Sequence, residues 1–136
     1  LLLGALREAQ PSEDLQQEPV FDDFPAVAMR TGHPLLTAGV LTGERLCAYP
    51  WILPDRGTPL RLYWEDMLKS CGVAPPKVGI ECGSVLTIRE LLLAGDALSL
   101  LSPAQLRVEI EAGVIVTRPP PVEVRRSIGI ISRIGW

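Results

Sequence analysis

Between residues 51 and 117 one order of signals recurs: a short apolar run, a turn ending in a hydroxyl residue, then helical spacing. Residues 51–54 are an apolar strand. Asp55-Arg56-Gly57 turns the chain, and Thr58-Pro59 pairs an N-cap residue with proline at the first helical position. Leu60, Trp64, Met67, Leu68 and Cys71 then share one helical face, Gly72 ends the helix and Pro75-Pro76 prevents its resumption. Residues 78–82 read as the next strand and Gly83-Ser84 as the cap of a helix to Ala94. Its inward residues are Leu86, Leu91 and either Leu92 or Leu93, and Gly95 closes it. Residues 97–101 are a third strand. Ser102-Pro103-Ala104-Gln105 is a capping box that opens a helix through Leu106 and Ile110 to Gly113, and residues 114–117 form a fourth strand. Strands alternating with helices predict an α/β fold, with parallel strands covered on both faces.

The flanks are less regular. Residues 1–6 read as a buried strand closed by Arg7-Glu8, residues 9–19 as a polar surface loop and residues 26–30 as a strand broken by Thr31-Gly32-His33-Pro34. Thr42 caps a short helix over 42–48 that stops at Tyr49-Pro50. Pro119-Pro120-Pro121 is a stiff connector, and residues 127–132 form a final strand before Trp136. Asp22-Asp23 and Glu65-Asp66 read as solvated surface.

Composition narrows the functional classes. A length of 136 residues is one domain's worth, and a net charge of −3 makes the chain a poor candidate for direct contact with nucleic acid, which usually needs a basic face. Mean hydropathy of +0.24 and 47% hydrophobic residues exclude disorder, while no apolar run is long enough to span a bilayer. Leu1-Leu2-Leu3 lacks the basic region of a signal peptide and reads as a chain cut open within a strand. Cys47, Cys71 and Cys82 include no CxxC pair, and His33 is the only histidine. No metal site is expected, and the thiols read as reduced core residues of a cytoplasmic protein. No nucleophile elbow, phosphate loop, dinucleotide fingerprint or zinc-protease motif is present, so neither catalysis nor a cofactor is expected. His33, before Pro34, reads as a turn histidine bonded to nearby backbone.

Ligand chemistry has one natural location. In open parallel sheets, ligands bind beyond the carboxyl ends of the strands, where helix N-termini offer free N–H groups. Thr58, Ser84 and Ser102 each start a helix there, with Arg56, Gly57 and Arg61 around the first turn. Two readings of these hydroxyls stand side by side: ordinary helix caps, each contributing about 1 kcal/mol to its helix, or contacts to an anionic or hydroxyl-rich small molecule.

An ordered set of segments resembles the LysR-type transcriptional regulators. It comprises Gly4-Ala5-Leu6-Arg7, Glu18-Pro19-Val20-Phe21-Asp22-Asp23, Arg30-Thr31-Gly32-His33-Pro34-Leu35 and Tyr49-Pro50-Trp51-Ile52-Leu53-Pro54. Gly57-Thr58-Pro59, Glu81-Cys82-Gly83-Ser84, Leu98-Ser99-Leu100-Leu101-Ser102 and the stretch from Ser127 to Trp136 continue it. The likeness covers nearly the whole chain and is nearest to the subgroup regulating sugar-binding-protein and aromatic-acid catabolism genes. It implies a type 2 periplasmic-binding-protein-like fold with two α/β lobes joined by crossover strands, and an effector between the lobes. On that basis residues 1–32 are a remnant of the first lobe with one crossover strand, residues 33–122 a nearly complete Rossmann-like second lobe, and residues 123–136 the returning crossover strand.

The implied role is effector sensing without catalysis. The effector would be a sugar, sugar acid or aromatic or other organic acid, and Thr58, Ser84, Arg56, Gly57 and Ser102 are the candidate contacts. The resemblance further implies a homo-oligomer that meets DNA only through a winged helix-turn-helix outside this sequence, and no membrane association. A fragment of a transport solute-binding protein is the alternative. With half a lobe absent, orphan strand edges and exposed apolar surface are expected.

Overall fold

The computed structural model describes residues 1–7 and 12–135. Its strands are β1 (Leu2–Ala5), β2 (Leu15–Asp23), β3 (Ala26–Arg30), β4 (Trp51–Leu53), β5 (Ile80–Glu81), β6 (Leu98–Leu101), β7 (Ile115–Arg118) and β8 (Arg126–Arg133). The α-helices are α1 (Gly43–Cys47), α2 (Pro59–Ser70), α3 (Val85–Ala94) and α4 (Arg107–Glu111), with 3₁₀ turns at Pro34–Thr37 and Pro103–Leu106. The chain divides into two compact units, Leu1–Phe24 with Arg125–Trp136, and Pro25–Val124.

The larger unit is built on a five-stranded sheet of order β5-β4-β6-β3-β7. β4 pairs in parallel with β5 and β6, as the strand–helix alternation predicts. β7 does not join them directly. It pairs antiparallel with β3, which pairs antiparallel with β6, so β7 runs with the parallel strands but stands apart from them. A two-residue side-chain period sorts the strands between two cores. Val27, Met29, Trp51, Leu53, Leu98 and Leu100 face one side, against Leu46 of α1 and Leu60, Trp64, Met67 and Leu68 of α2. Ala28, Ile52, Leu101 and Ile115 face the other, against Ile88 and Leu92 of α3 and Leu106. Trp51 and Trp64 meet edge to face at 5.6 Å, and the Trp51 indole N–H donates to the Leu46 carbonyl at 2.8 Å.

Most local signals operate as expected. Thr42 Oγ1 accepts from the Arg45 N–H to cap α1. Gly72, at φ +79°, ends α2 in a left-handed turn in which Val73 N–H reaches the Leu68 carbonyl. Buried His33 accepts from the Leu35 N–H at Nδ1, 2.9 Å away. Its proton therefore sits on Nε2, which donates to the Asp96 carbonyl at 2.8 Å.

Other expectations are corrected. Leu86 points outward, 66% exposed, and Leu91 is half-buried, because Ile88 and Leu92, one turn apart, form the inward stripe of α3. β5 spans two residues rather than 78–82. A 3₁₀ turn after Ser102 delays α4 to Arg107. The cysteines are free but half-buried rather than core residues.

In the smaller unit, β8 lies between β1 and β2 and is antiparallel to both. The expected loop over 9–19 is strand from Leu15 onward, and Ala9, Gln10 and Pro11 lie outside the described residues. β2 tolerates Pro19 because it is an edge strand, with a bulge between Pro19 and Phe21. β1 is a strand but not a buried one: Leu2 and Leu3 are 61% and 68% exposed, since no helix of this unit among the described residues covers them. Asp23 is not solvated surface. It accepts from Arg126 at 2.7 Å, and both side chains are largely buried. A Cβ on Gly129 would lie 2.1 Å from the Glu18 carbonyl oxygen and 2.8 Å from Leu6 Cδ1, so only glycine lets β8 approach β2 here.

Two substitutions test this packing. Leu100→Ala should lower unfolding free energy by about 2–5 kcal/mol in urea titration, since Leu100 is fully enclosed. Gly129→Ala should cost about 1–3 kcal/mol by the same measurement, because the obstacle is backbone rather than a movable side chain.

Candidate functional site

β4, β5 and β6 run in parallel, so their carboxyl ends lie at one edge of the sheet. Residues 54–58 lead from β4 to α2, residues 82–84 from β5 to α3, and Ser102 from β6 into its 3₁₀ turn. In the order β5-β4-β6 the turn at 54–58 stands between the other two. The Cys82 N–H donates to the Leu53 carbonyl at 2.8 Å and extends the pairing into the second turn.

The hydroxyls at this edge are not equivalent. Thr58 is the N-cap residue of α2 but makes no capping bond; its Oγ1 donates to the Asp55 carbonyl at 2.8 Å and tightens the turn instead. Pro59 has no N–H, and with the Thr58 hydroxyl turned away the Leu60 and Arg61 N–H groups of the first turn of α2 have no side-chain cap. Ser84 is exposed and caps α3, accepting from the Thr87 N–H at 3.4 Å. Ser102 shares the edge but is only 6% exposed, and Gln105 Oε1 accepts from its N–H at 3.3 Å. Arg56 and Gly57 are exposed at the tip of the first turn. The structure thus gathers Arg56, Gly57, Thr58 and Ser84 at an open edge and places Ser102 beneath it.

Arg61 is the group that composition and motifs do not single out, since in the sequence it is only a neighbour of the turn. It is 4% exposed and sits on the inward face of α2 with Trp64 and Leu68. Its guanidinium lies 5.6 Å from the Trp64 ring centroid. Nη1 donates to the Pro54 carbonyl at 3.1 Å and lies 3.5 Å from Glu81 Oε1, so Arg61 links the ends of β4 and β5. A charge in an apolar helical stripe was the signal that could have found it.

Of the three free thiols, Cys82 lies in the second turn of this edge, with its Sγ 3.8 Å from the Ser84 carbonyl, while Cys47 lies at the end of α1. The Cys47 thiol is pushed upward by burial first and by Glu44 and Cys71 second, which keeps it protonated and a poor nucleophile. No helix among the described residues is long and apolar enough to cross a membrane.

An open sheet that delivers helix-starting turns to one edge, one of them uncapped, has the layout of the α/β folds that bind ligands beyond their strand ends. Residues 2–135 match the family described as the LysR substrate binding domain. The HTH-type transcriptional regulator GalR of Pseudomonas putida is 33% identical over 135 residues, which is 98% of this chain and 34% of that protein. Of solved structures, the cofactor-binding domain of the Cbl transcriptional regulator aligns with a TM-score of 0.82 at 17% identity, over 98% of this chain and 58% of that one. The Synechocystis PCC6803 CcmR regulatory domain, solved in complex with 2-PG, aligns at 0.75 and 21% identity, over 96% and 63%.

The chain belongs to the LysR substrate-binding domain family and is an effector-binding module of a LysR-type regulator. It spans about a third of the length of the GalR relative. These relatives are regulators, not transport solute-binding proteins, which removes the transport alternative.

The helices that follow the second and third turns are tied by charge. Arg89 of α3 donates to Glu109 of α4 at 3.0 Å and also meets Glu90. The hydrogen bond from Arg89 holds the Glu109 carboxyl below the usual carboxylate range, so the charged form is favoured in the fold. The resulting stability is present above the ordinary value of about 4.3 and is lost as pH falls through the lower folded value. Urea titrations of Glu109→Gln and the parent chain should therefore differ at about pH 7 and draw together as pH falls below the ordinary carboxylate range.

Proposed function

We propose that this chain senses a small-molecule effector at the carboxyl edge of β4 and β5, with Thr58 and Ser84 as direct contacts, Arg56 and Gly57 at the rim, and Ser102 supporting the edge from below. The uncapped first turn of α2 carries this reading, because a 12-residue helix directs unpaired N–H groups and a partial positive charge at the place where ligands of open α/β sheets bind. Such a site suits a carboxylate or hydroxyl-bearing molecule, so the effector is a sugar, a sugar acid or an aromatic or other organic acid. Residues 33–122 are the second lobe of the module. Residues 1–32 and 123–136 supply a remnant of the first lobe and the two crossover strands.

The chain has no catalytic role in this reading. The whole regulator is cytoplasmic, assembles from identical subunits and meets promoter DNA through a winged helix-turn-helix outside this sequence. Effector binding biases its conformational equilibrium by differential affinity for the two states. Thermal-shift screening of the full-length regulator against sugars, sugar acids and aromatic acids tests the proposal, and a screen without a single shift across those classes would sink it.

Against a compound found in that screen, calorimetry on Thr58→Ala and Ser84→Ala should each show binding weakened by about 0.5–1.5 kcal/mol with unchanged far-UV circular dichroism. Unchanged affinity in both variants would leave these hydroxyls as turn and cap groups only.

A further inference from the structure

Arg61 is a buried cation whose donors are poorly matched. A guanidinium carries five N–H donors. Here Nη1 has one sound bond, to the Pro54 carbonyl at 3.1 Å, while Glu81 Oε1 stands off at 3.5 Å. Nε is buried with no hydrogen-bond partner among the described residues, and Glu65 Oε1 lies 3.7 Å from it. Charge-assisted N–H···O bonds are shorter than this, and a guanidinium with a free carboxylate favours a forked, two-bond contact.

The two ends of the Arg61–Glu81 pair differ in freedom. Arg61 is held by the Trp64 ring and the Pro54 carbonyl, with its side chain 5% exposed. Glu81 ends β5, the outermost strand of the sheet, and its side chain is 46% exposed. Water can therefore take up the Glu81 carboxylate with little penalty, and so loose a pair contributes little to stability. The cation is fixed and its anion is replaceable.

We propose that Glu81 is an internal competitor for the effector: a ligand carboxylate displaces it from Arg61, so that the site selects compact anionic groups. The proposal rests on the effector site described above. Glu65 and the displaced Glu81 stay close to Arg61, so the ligand carboxylate gains the fixed cation against their repulsion, which Glu81→Gln relieves, and a neutral isostere gains nothing from the exchange. Arg61 is thereby a specificity-determining residue.

The test uses acetate as probe and acetamide as its neutral counterpart, titrated into the chain while arginine Nε–Hε resonances are followed by NMR. Acetate, and not acetamide, should move the Arg61 signal. Glu81→Gln should bind acetate about threefold tighter, the scale of an exposed ion pair removed from competition. Arg61→Lys, which keeps the charge and loses the fork, should bind about tenfold weaker. Acetate affinity unchanged or reduced in Glu81→Gln overturns the proposal, because Glu81 would then organise the site rather than compete for it. Equal binding of acetate and acetamide overturns it as well. If Arg61→Lys fails to fold, the Glu81→Gln comparison alone decides. A screening compound that needs Thr58 and Ser84 but is indifferent to Glu81→Gln would remove this inference and leave the effector site standing.

Discussion

The larger unit depends on β3 lying antiparallel inside a sheet whose other strands all run one way. Val27, Ala28 and Met29 are wholly enclosed, with Val27 and Met29 filling one core and Ala28 the other. β6 and β7 do not touch as strands, and each ladder is completed by β3. Without it, two rows of backbone donors and acceptors would be stranded between two apolar layers, which is far costlier than losing any one side chain. β5, β4 and β6 hold one another through their own parallel ladders, and β3 continues the sheet beyond β6, so a strand from the early part of the sequence flanks the edge at which the helices begin.

Much of this was legible because the signals are local. Thr42, Gly72 and the Nδ1 side of His33 act within a few residues of themselves, and turn and cap chemistry follows from the side chain alone, whereas the bond from His33 Nε2 to Asp96 reaches across the fold. The helical face of Leu60, Trp64, Met67 and Leu68 was legible because a soluble helix must bury its apolar stripe. The partner of β7 was not, since a four-residue strand carries in its own residues no mark of direction or neighbour. β2 was hidden because edge strands carry polar and proline residues that read as loop. Leu86 misled because α3 is apolar nearly all round, so its inward stripe is set by the strands beneath it.

The site was legible in outline and not in its electrostatics. Capping signals placed Thr58 and Ser84 at helix starts, and the strand pattern put those starts at one edge. Nothing local distinguishes a threonine that caps its helix from one that turns back to Asp55, and that difference leaves the first turn of α2 open. Arg61 was harder still, because arginines are normally exposed and its burial depends on Trp64 and on two strand ends distant in sequence. Sequence likeness and fold agree on the family, while effector preference resides in a few groups that such likeness does not resolve.

His33 has a further consequence. It is the only histidine in the chain, and both ring nitrogens are engaged, one with Leu35 and the other with the Asp96 carbonyl between α3 and β6. A ring proton held in a buried hydrogen bond exchanges with water slowly enough to give its own NMR resonance. That line needs no assignment by mutagenesis, since no second imidazole competes for it. The protein thus carries a native spectroscopic reporter of whether the Gly95–Asp96 junction is closed, readable without adding a label.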